Sequence, residues 1–385
     1  MDFSLTEEQI MIRDTAREFA QSEVEPKAIE LESRHEFPME LTNKMAEMGF
    51  HGLVIPEKFG GAGVDYLSYL LVEQEIARAS ISLSMTLGAQ NSLVAIPLME
   101  CGSEELQKKY LPKIASGEWL GCFALTEPGA GSDPAGMATT AKRDGDHWVI
   151  NGTKIYITNG SVSKLAIVWA KTGTKPDGKA AITTFLVDRE QSPYRTGTIE
   201  HKMGVHASPT TELIFEDCRV PASHMMGKEG EGFKIALSTL NAGRLSVATQ
   251  CIGIAKAAYE RAKRFSKERE QFGKKISEFQ AIAFKLADCA VGISAAELLV
   301  QKAAWLKEQR GARDPEFISL AAQAKLFASE MACRVTDEAV QIHGGYGYMK
   351  EYRVEEFFRA ARLMELVEGT SEIQRLTISR WELRD

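Results

Sequence analysis

Gly121-Cys122-Phe123-Ala124-Leu125-Thr126-Glu127-Pro128-Gly129-Ala130-Gly131-Ser132-Asp133 marks the point at which the chain changes its period. Upstream, apolar residues recur at helical spacing. Thr6-Glu7-Glu8-Gln9 has the spacing of a capping box, and Ile10, Phe19, Ala20 and Val24 continue it along one face. Helical patterns follow over 39–48, 66–79 and 82–101, with Gly49 and Gly102 as stops, because glycine takes positive φ without steric cost. Ser103 opens one more short helix. From residue 121 the segments 122–126, 138–143, 147–151, 155–158, 165–171, 181–187 and 212–216 are short and β-branched or alternating, with Gly, Asn, Asp and Pro between them. Arg143-Asp144-Gly145-Asp146 has the composition of a hairpin turn joining two of them. Such segments without intervening helices predict an antiparallel barrel or sandwich, not a doubly wound sheet. After Gly230 the patterns over 233–264, 278–310, 315–343 and 354–366 are long and Ala-rich, which predicts a helical bundle. The expected architecture is multidomain α+β: an N-terminal helical domain over 1–120, a middle β-domain over 121–229 and a C-terminal four-helix-bundle domain over 230–385.

Composition bounds the function. A chain of 385 residues suits two to three domains of about 150 residues each. With 44% hydrophobic and 26% charged residues it is ordinary for a globular protein. The net charge of −7 argues against a nucleic-acid binder, which needs a basic footprint. Six cysteines at 101, 122, 218, 251, 289 and 333 form no CxxC pair, which argues against a disulfide framework or zinc knuckle and for a reducing compartment. No apolar run is read as reaching the roughly 18 residues of a membrane span. The opening Met1-Asp2-Phe3 leads into a helix start and not a basic, then apolar, leader, so the expected location is cytoplasmic, or the mitochondrial matrix for a processed form.

Several chemistries are excluded by pattern. No GxGxxG opens a helix after a strand, and no GxxxxGK[ST] or HExxH occurs. His201 and His206 read as an exposed pair in a turn-rich stretch, and no metal site is expected. Ser161-Val162-Ser163-Lys164 and Lys171-Thr172-Gly173 match acyl-transfer motifs but stand too close together, and no Ser-Asp-Asn accompanies them. Two constellations carry chemistry. The glycines after Phe123-Ala124-Leu125-Thr126 make either a plain loop or a nest of N–H groups open to an anionic or carbonyl acceptor. In Leu366-Val367-Glu368-Gly369-Thr370-Ser371-Glu372-Ile373-Gln374-Arg375, the spacing of Ser371 and Gln374 predicts a capping box and a helix from about residue 372. Glu368 then falls in a break after an apolar run. It is either a solvated loop glutamate or a partly desolvated carboxylate with the raised pKa of a general base. Leu286, Ile293 and Leu298 read as a core-packing stripe, and Trp169 and Trp305 as core residues.

Taken with Tyr156-Ile157-Thr158-Asn159-Gly160, Glu268-Arg269-Glu270-Gln271-Phe272-Gly273-Lys274 and Gln341-Ile342-His343-Gly344-Gly345-Tyr346-Gly347, these stretches resemble the acyl-CoA dehydrogenase family, nearest its short-chain, butyryl type, over essentially the whole chain. The resemblance implies FAD, an acyl-CoA substrate, electron-transfer flavoprotein as partner and a homotetramer. It makes Glu368 the base that removes the proton α to the thioester carbonyl while hydride leaves the β carbon for flavin N5, with the thioester oxygen bonded by the backbone N–H of Glu368 and a flavin ribityl hydroxyl. It places Phe123, Leu125, Thr126, Gly131, Ser132, Tyr156, Thr158 and Thr370 against the flavin. Arg269, Phe272, Gln280, Gln341, Gly344 and Gly345 go to its ADP half, held across a subunit interface. Ser132, Ser208, Asn241, Arg244, Val367 and Gly369 go to the substrate side.

Three departures narrow this reading. Val367 stands where most butyryl-type relatives carry Tyr, leaving room for a branched or alicyclic acyl group. Asn241 replaces the usual Asp, and Gly243 cannot be the base that some branched- and long-chain relatives place on its helix. Ser84 stands near the position where glutaryl-specific relatives carry Arg, which disfavours a free ω-carboxylate. The expected activity is α,β-dehydrogenation of a short-chain, branched or alicyclic acyl-CoA. An oxidase using dioxygen and a catalytically silent helical scaffold are the alternatives, and a yellow purified protein would speak against the last.

Overall fold

The computed structural model describes residues 4–384, so the opening Met1-Asp2-Phe3 lies outside it. The N-terminal helices are α1 (Glu7–Phe19), α2 (Ala28–Arg34), α3 (Met39–Glu47), α4 (Tyr66–Ala79), α5 (Ile81–Gly88), α6 (Ile96–Cys101) and α7 (Glu104–Ala115). The Thr6 hydroxyl accepts from Gln9 N–H and Gln9 reaches back to Thr6 N–H, a complete capping box. Asp65, Ser80 and Ser103 cap α4, α5 and α7 with the side chain alone, each accepting from a backbone N–H three residues on. The expected single helix over 82–101 is α5 and α6 joined through a π-helical turn, Ala89–Ala95. Contrary to the sequence reading, Ile81–Cys101 is long and apolar enough to cross a membrane, but its most apolar 18-residue window is 89% buried against the rest of the protein. Its apolarity is that of a core helix.

The strands are β1 (Gly121–Ala124), β2 (Thr140–Asp144), β3 (His147–Thr158), β4 (Leu165–Thr174), β5 (Ala180–Asp188), β6 (Arg195–Ile199), β7 (Thr210–Pro221) and β8 (Met225–Met226). They form one sheet in the order β6-β7-β3-β2-β4-β5-β8, with β1 beside β4. The sheet is mixed, which corrects the antiparallel expectation: β1 and β2 both run parallel to β4. β1 is entered from α7 and not from a hairpin, so nothing in its connection reverses its direction. The predicted hairpin does join β2 to β3, with Asp144 opposite His147 and Gly145 at φ 59°. Two predicted segments fuse into β3. Gly152 sits within it at φ 152°, where a Cβ would stand 2.7 Å from Thr139 Cα, so the strand bulges there instead of ending. β6 and β8 lie outside the predicted segments.

The C-terminal helices are α8 (Gly232–Glu268), α9 (Gln280–Arg310), α10 (Pro315–His343), α11 (Val354–Met364) and α12 (Ser371–Glu382), with the small hairpin β9 (Glu270–Gln271) and β10 (Lys274–Lys275) between α8 and α9. One apolar core runs continuously from α1 and α4 through α8, α10 and α11, including Phe19, Tyr69, Leu245, Ile252, Phe317 and Phe357. Two further cores lie on opposite faces of the sheet, one around Tyr110, Trp119 and Trp169, the other around Trp148, Phe185 and Phe215. Trp169 and Ile293 are buried as expected, but Leu298 is 50% and Trp305 59% exposed. They belong to a different stripe of α9, Phe284, Val291, Leu298 and Trp305, which repeats every seven residues and faces outward.

Candidate active site

Between α11 and α12 the chain makes a turn at two successive positive φ values, Glu368 at 54° and Gly369 at 95°. Thr370 then takes extended geometry and caps α12, its hydroxyl accepting from Ile373 N–H at 3.5 Å. The cap is Thr370 and not the predicted Ser371, because the turn ends one residue earlier than the capping-box spacing implies. Gln374, read as the box partner, instead donates its amide to the carbonyls of Glu368 at 3.1 Å and Gly369 at 2.8 Å. The fully buried Lys325 of α10 adds a 2.8 Å bond to the Gly369 carbonyl. Three bonds from buried donors thus hold the turn that aims Glu368.

The Glu368 carboxylate lies against α8 at Gly243, where a Cβ would stand 2.8 Å from its Cδ and collide with its Oε2. That Oε2 is enclosed and has no hydrogen-bond partner among the described residues. Burial raises the Glu368 pKa to about 7, against the opposing charges of Arg244 and Lys325. Next to Gly243 on α8, buried Arg244 donates to Asn241 Oδ1 at 2.9 Å and leaves its Nε unpartnered among the described residues. A partly hydrophobic enclosure, an unmet acceptor and nearby cations are the conditions of a general base poised near neutral pH.

The motif of β1 meets β3 on the sheet. Ile155 N–H donates to Thr126 O at 2.9 Å, which sets Leu125 and Thr126 beside Tyr156 and Thr158. The turn after Thr126 is fixed from below. The Glu127 carboxylate accepts from Lys154 Nζ at 2.7 Å and from the N–H groups of Ala138 and Thr139. Burial pushes that carboxyl up, but the Lys154 charge and these bonds outweigh it and hold it below the usual range. Gly131 and Ser132 are exposed beyond this anchor, and Tyr156 stands 62% exposed at φ 57°. The Ile81–Cys101 stretch connects the two halves. Leu93 faces Gly243, and the next residue, Val94, packs against Gly121 at the start of β1.

A third cluster lies at the far end of α8 and α10. Arg269, Gln271, Phe265, His343, Gly344 and Tyr346 line an open cleft of about 450 Å³, with Gly345 on its wall. The Arg269 guanidinium sits 5.5 Å from the Tyr346 ring centre. Gln341 and Gln280 are exposed at the ends of α10 and α9, and Phe272 projects 93% exposed from the hairpin. Ser208 is elsewhere, buried in the loop before β7 with its carbonyl accepting from Lys202 Nζ at 2.8 Å. His206 does not pair with His201. It stacks on His35 with ring centres 4.1 Å apart. Val367 is half-buried and packs on the main core next to Glu368.

Three family models cover the chain: "Acyl-CoA dehydrogenase, N-terminal domain" over residues 6–118, the middle domain over 122–218 and the C-terminal domain over 230–383. The chain belongs to the acyl-CoA dehydrogenase family. It is 45% identical to the short-chain specific acyl-CoA dehydrogenase of Clostridium acetobutylicum, over 98% of this chain and 99% of that one. It is 44% identical to subunit CarC of the caffeyl-CoA reductase-Etf complex of Acetobacterium woodii, over 97% and 98%. The butyryl-CoA dehydrogenase structure from Megasphaera elsdenii matches it with a TM-score of 0.96 and 42% identity, over the whole of both chains. Acyl-CoA dehydrogenases are flavoprotein oxidoreductases that use FAD and act on CH–CH bonds.

The residues present fit that cofactor. Gly129, Gly131, Gly344 and Gly345 have open space where a Cβ would stand, and the cleft at Arg269 offers a cation, an aromatic ring and an amide to a nucleotide's phosphates and base. Lys325 and Gln374 escaped functional notice in the sequence. The signal for Lys325 was its place among Ala321, Ala322, Ala324 and Ala328, the inward face of α10.

Proposed function

We propose that this acyl-CoA dehydrogenase removes hydrogen from the α and β carbons of a short-chain, branched or alicyclic acyl-CoA to give the 2-enoyl-CoA, with electron-transfer flavoprotein taking the electrons. The observation that carries the reading is the enclosed, unpartnered Oε2 of Glu368, with its pKa near 7, against the side-chain-free surface of Gly243. When bound, FAD supplies an acceptor for the hydride that leaves the β carbon. Leu125, Thr126, Tyr156 and Thr158 would hold its ring system, and Arg269, Gly344 and Gly345 of a second copy, across a subunit interface, would hold its ADP half. Glu368 takes the α proton onto Oε2, and the clamp from Lys325 and Gln374 keeps the carboxylate in position as the charge moves. Arg244 and Asn241 bind the CoA side of the thioester.

Val367 supports a wider acyl space than a tyrosine would leave, because it fills little of the volume beside Glu368. The CarC relative, named for its complex with Etf, supports the electron-transfer flavoprotein as partner. The exposed heptad stripe of α9 supports a homo-oligomer, a tetramer in this reading, with a second copy covering Leu298 and Trp305. The test is anaerobic titration of the yellow holoenzyme with butyryl-, isobutyryl- and cyclohexanecarbonyl-CoA. Bleaching by at least one of them is expected. Glu368→Gln should keep its flavin and bleach about 10²- to 10⁴-fold more slowly; bleaching at the wild-type rate would remove Glu368 as the base.

A further inference from the structure

A second carboxylate, Glu73 of α4, lies wholly inside the protein, with no cation beside it among the described residues. Its Oε1 accepts from Ser246 Oγ at 2.6 Å and Gln250 Nε2 at 2.9 Å, both neutral groups on α8. Its Oε2 and the Gln250 Oε1 have no hydrogen-bond partner among the described residues, although both residues are more than nine-tenths buried. Unmet acceptors are costly in a protein interior, and the buried Tyr69 hydroxyl next to Glu73, itself without a hydrogen-bond partner among the described residues, is a single donor for the two of them.

Their position relates them to Glu368. Gly243, Ser246 and Gln250 are three and seven residues apart and so share one face of α8. At about 1.5 Å per residue, Ser246 and Gln250 stand roughly 5 and 10 Å along that face from Gly243, where the Glu368 carboxylate sits. The opposite wall, the Ile81–Cys101 stretch, runs antiparallel to α8. Leu93 faces Gly243, and Gly88 faces the polar group, where a Cβ would stand 2.9 Å from Ser246 Oγ, 3.0 Å from Gln250 Nε2 and collide with Glu73 Oε1. Ser84, one turn further, accepts from Gln250 Nε2 through its carbonyl at 3.1 Å. One carboxylate thus stands at Gly243 and the other a short acyl chain away along the same face of α8. Side chains are missing on both walls, at Gly243 and at Gly88, where the carboxylates lie.

We infer that Glu73, with Gln250, forms the far end of the acyl site and selects thioesters whose chain ends in a hydrogen-bond donor, a hydroxyl or an ammonium, over chains ending in methyl. This rests on the dehydrogenation proposed above. Either donor meets the two open acceptors; an ammonium would also balance the buried charge.

The experiment compares kcat/KM of the holoenzyme, by anaerobic flavin reduction, on length-matched acyl-CoA thioesters ending in methyl, hydroxyl or ammonium. One donor-ended chain should be preferred by about tenfold to a hundredfold, the cost of leaving buried acceptors unmet. Glu73→Leu should reverse that preference while keeping its flavin. Glu73→Gln still accepts from a hydroxyl, so it should keep a hydroxyl preference and lose an ammonium preference. If Glu73→Leu does not fold, Gln250→Leu should lower the same ratio. Melting-temperature shifts caused by the same thioesters in a Glu368→Gln background read binding without turnover and should follow the same order. A wild-type preference for the methyl-ended chain, or a ratio unchanged in these variants, overturns the inference and leaves the dehydrogenation standing. Failure of every thioester to bleach the flavin overturns both.

Discussion

Glu368 and Gly243 share one space: the carboxylate of the first occupies the volume in which a side chain of the second would begin. The carboxylate proposed as the base is therefore positioned by an absence on α8 as much as by its own turn. Gly243→Ala puts a methyl group within 2.8 Å of Glu368 Cδ. We expect it to displace the carboxylate by enough to cost roughly 10²-fold in kcat, with flavin content unchanged. Full activity in that variant would mean the turn has slack that the structure does not show.

The pH profile of flavin reduction should have an ascending limb near 7, because Glu368 must lose its proton before it can act. Arg244 and Lys325 both hold the pKa down, so removing either cation raises it. Lys325→Met is expected to move the limb to higher pH as well as lowering the plateau. A limb that stays in place would show that Lys325 acts only as a clamp on Gly369.

Val367→Tyr narrows the space beside Glu368. Preference should shift from branched or alicyclic thioesters toward small straight chains, measured as the ratio of kcat/KM values. An unchanged acyl-CoA profile would remove Val367 as the source of any wider specificity.

Glu73 makes a stability prediction that needs no substrate. Burial raises its pKa from the usual value to about 7, so the folded state binds its proton more tightly than the unfolded chain does. The associated stability is complete below about pH 4.5 and is lost as pH rises through 7, up to a ceiling of about 3 kcal/mol. Glu73→Gln cannot ionise. Relative to wild type it should gain melting temperature at pH 8.5 and gain less, or lose, at pH 5. Parallel curves for the two proteins would place the raised pKa in doubt.

The outward stripe of α9 gives the assembly prediction. Leu298→Glu together with Trp305→Glu puts charges into an apolar surface and should reduce the sedimenting species to a smaller assembly. Wild-type sedimentation in that variant would locate the interface elsewhere.

The helical, β and helical thirds were legible because period and turn chemistry are local: Thr6 with Gln9, or Gly145 in its hairpin, declare themselves within four residues. The parallel pairing of β1 and β2 with β4 was not, since strand direction depends on distant connections. Leu298 and Trp305 misread for a similar reason: α9 is apolar on more than one face, and periodicity cannot say which face the core covers. At the site, Glu368 stood out through its flanking break and glycine. Lys325, Gln374 and Glu73 reach their partners across 44, 5 to 6 and 173 to 177 residues of chain. Gln374 was near enough to be seen, but the capping pattern offered it a different partner.

The buried Glu127–Lys154 pair has a consequence for the life of the protein without its coenzyme. The loop after Thr126 is braced by charge and backbone bonds drawn wholly from the polypeptide, so its shape does not depend on what it holds. A stripped, colourless preparation keeps this part of the cradle ready-made, and recharging it incurs little ordering entropy.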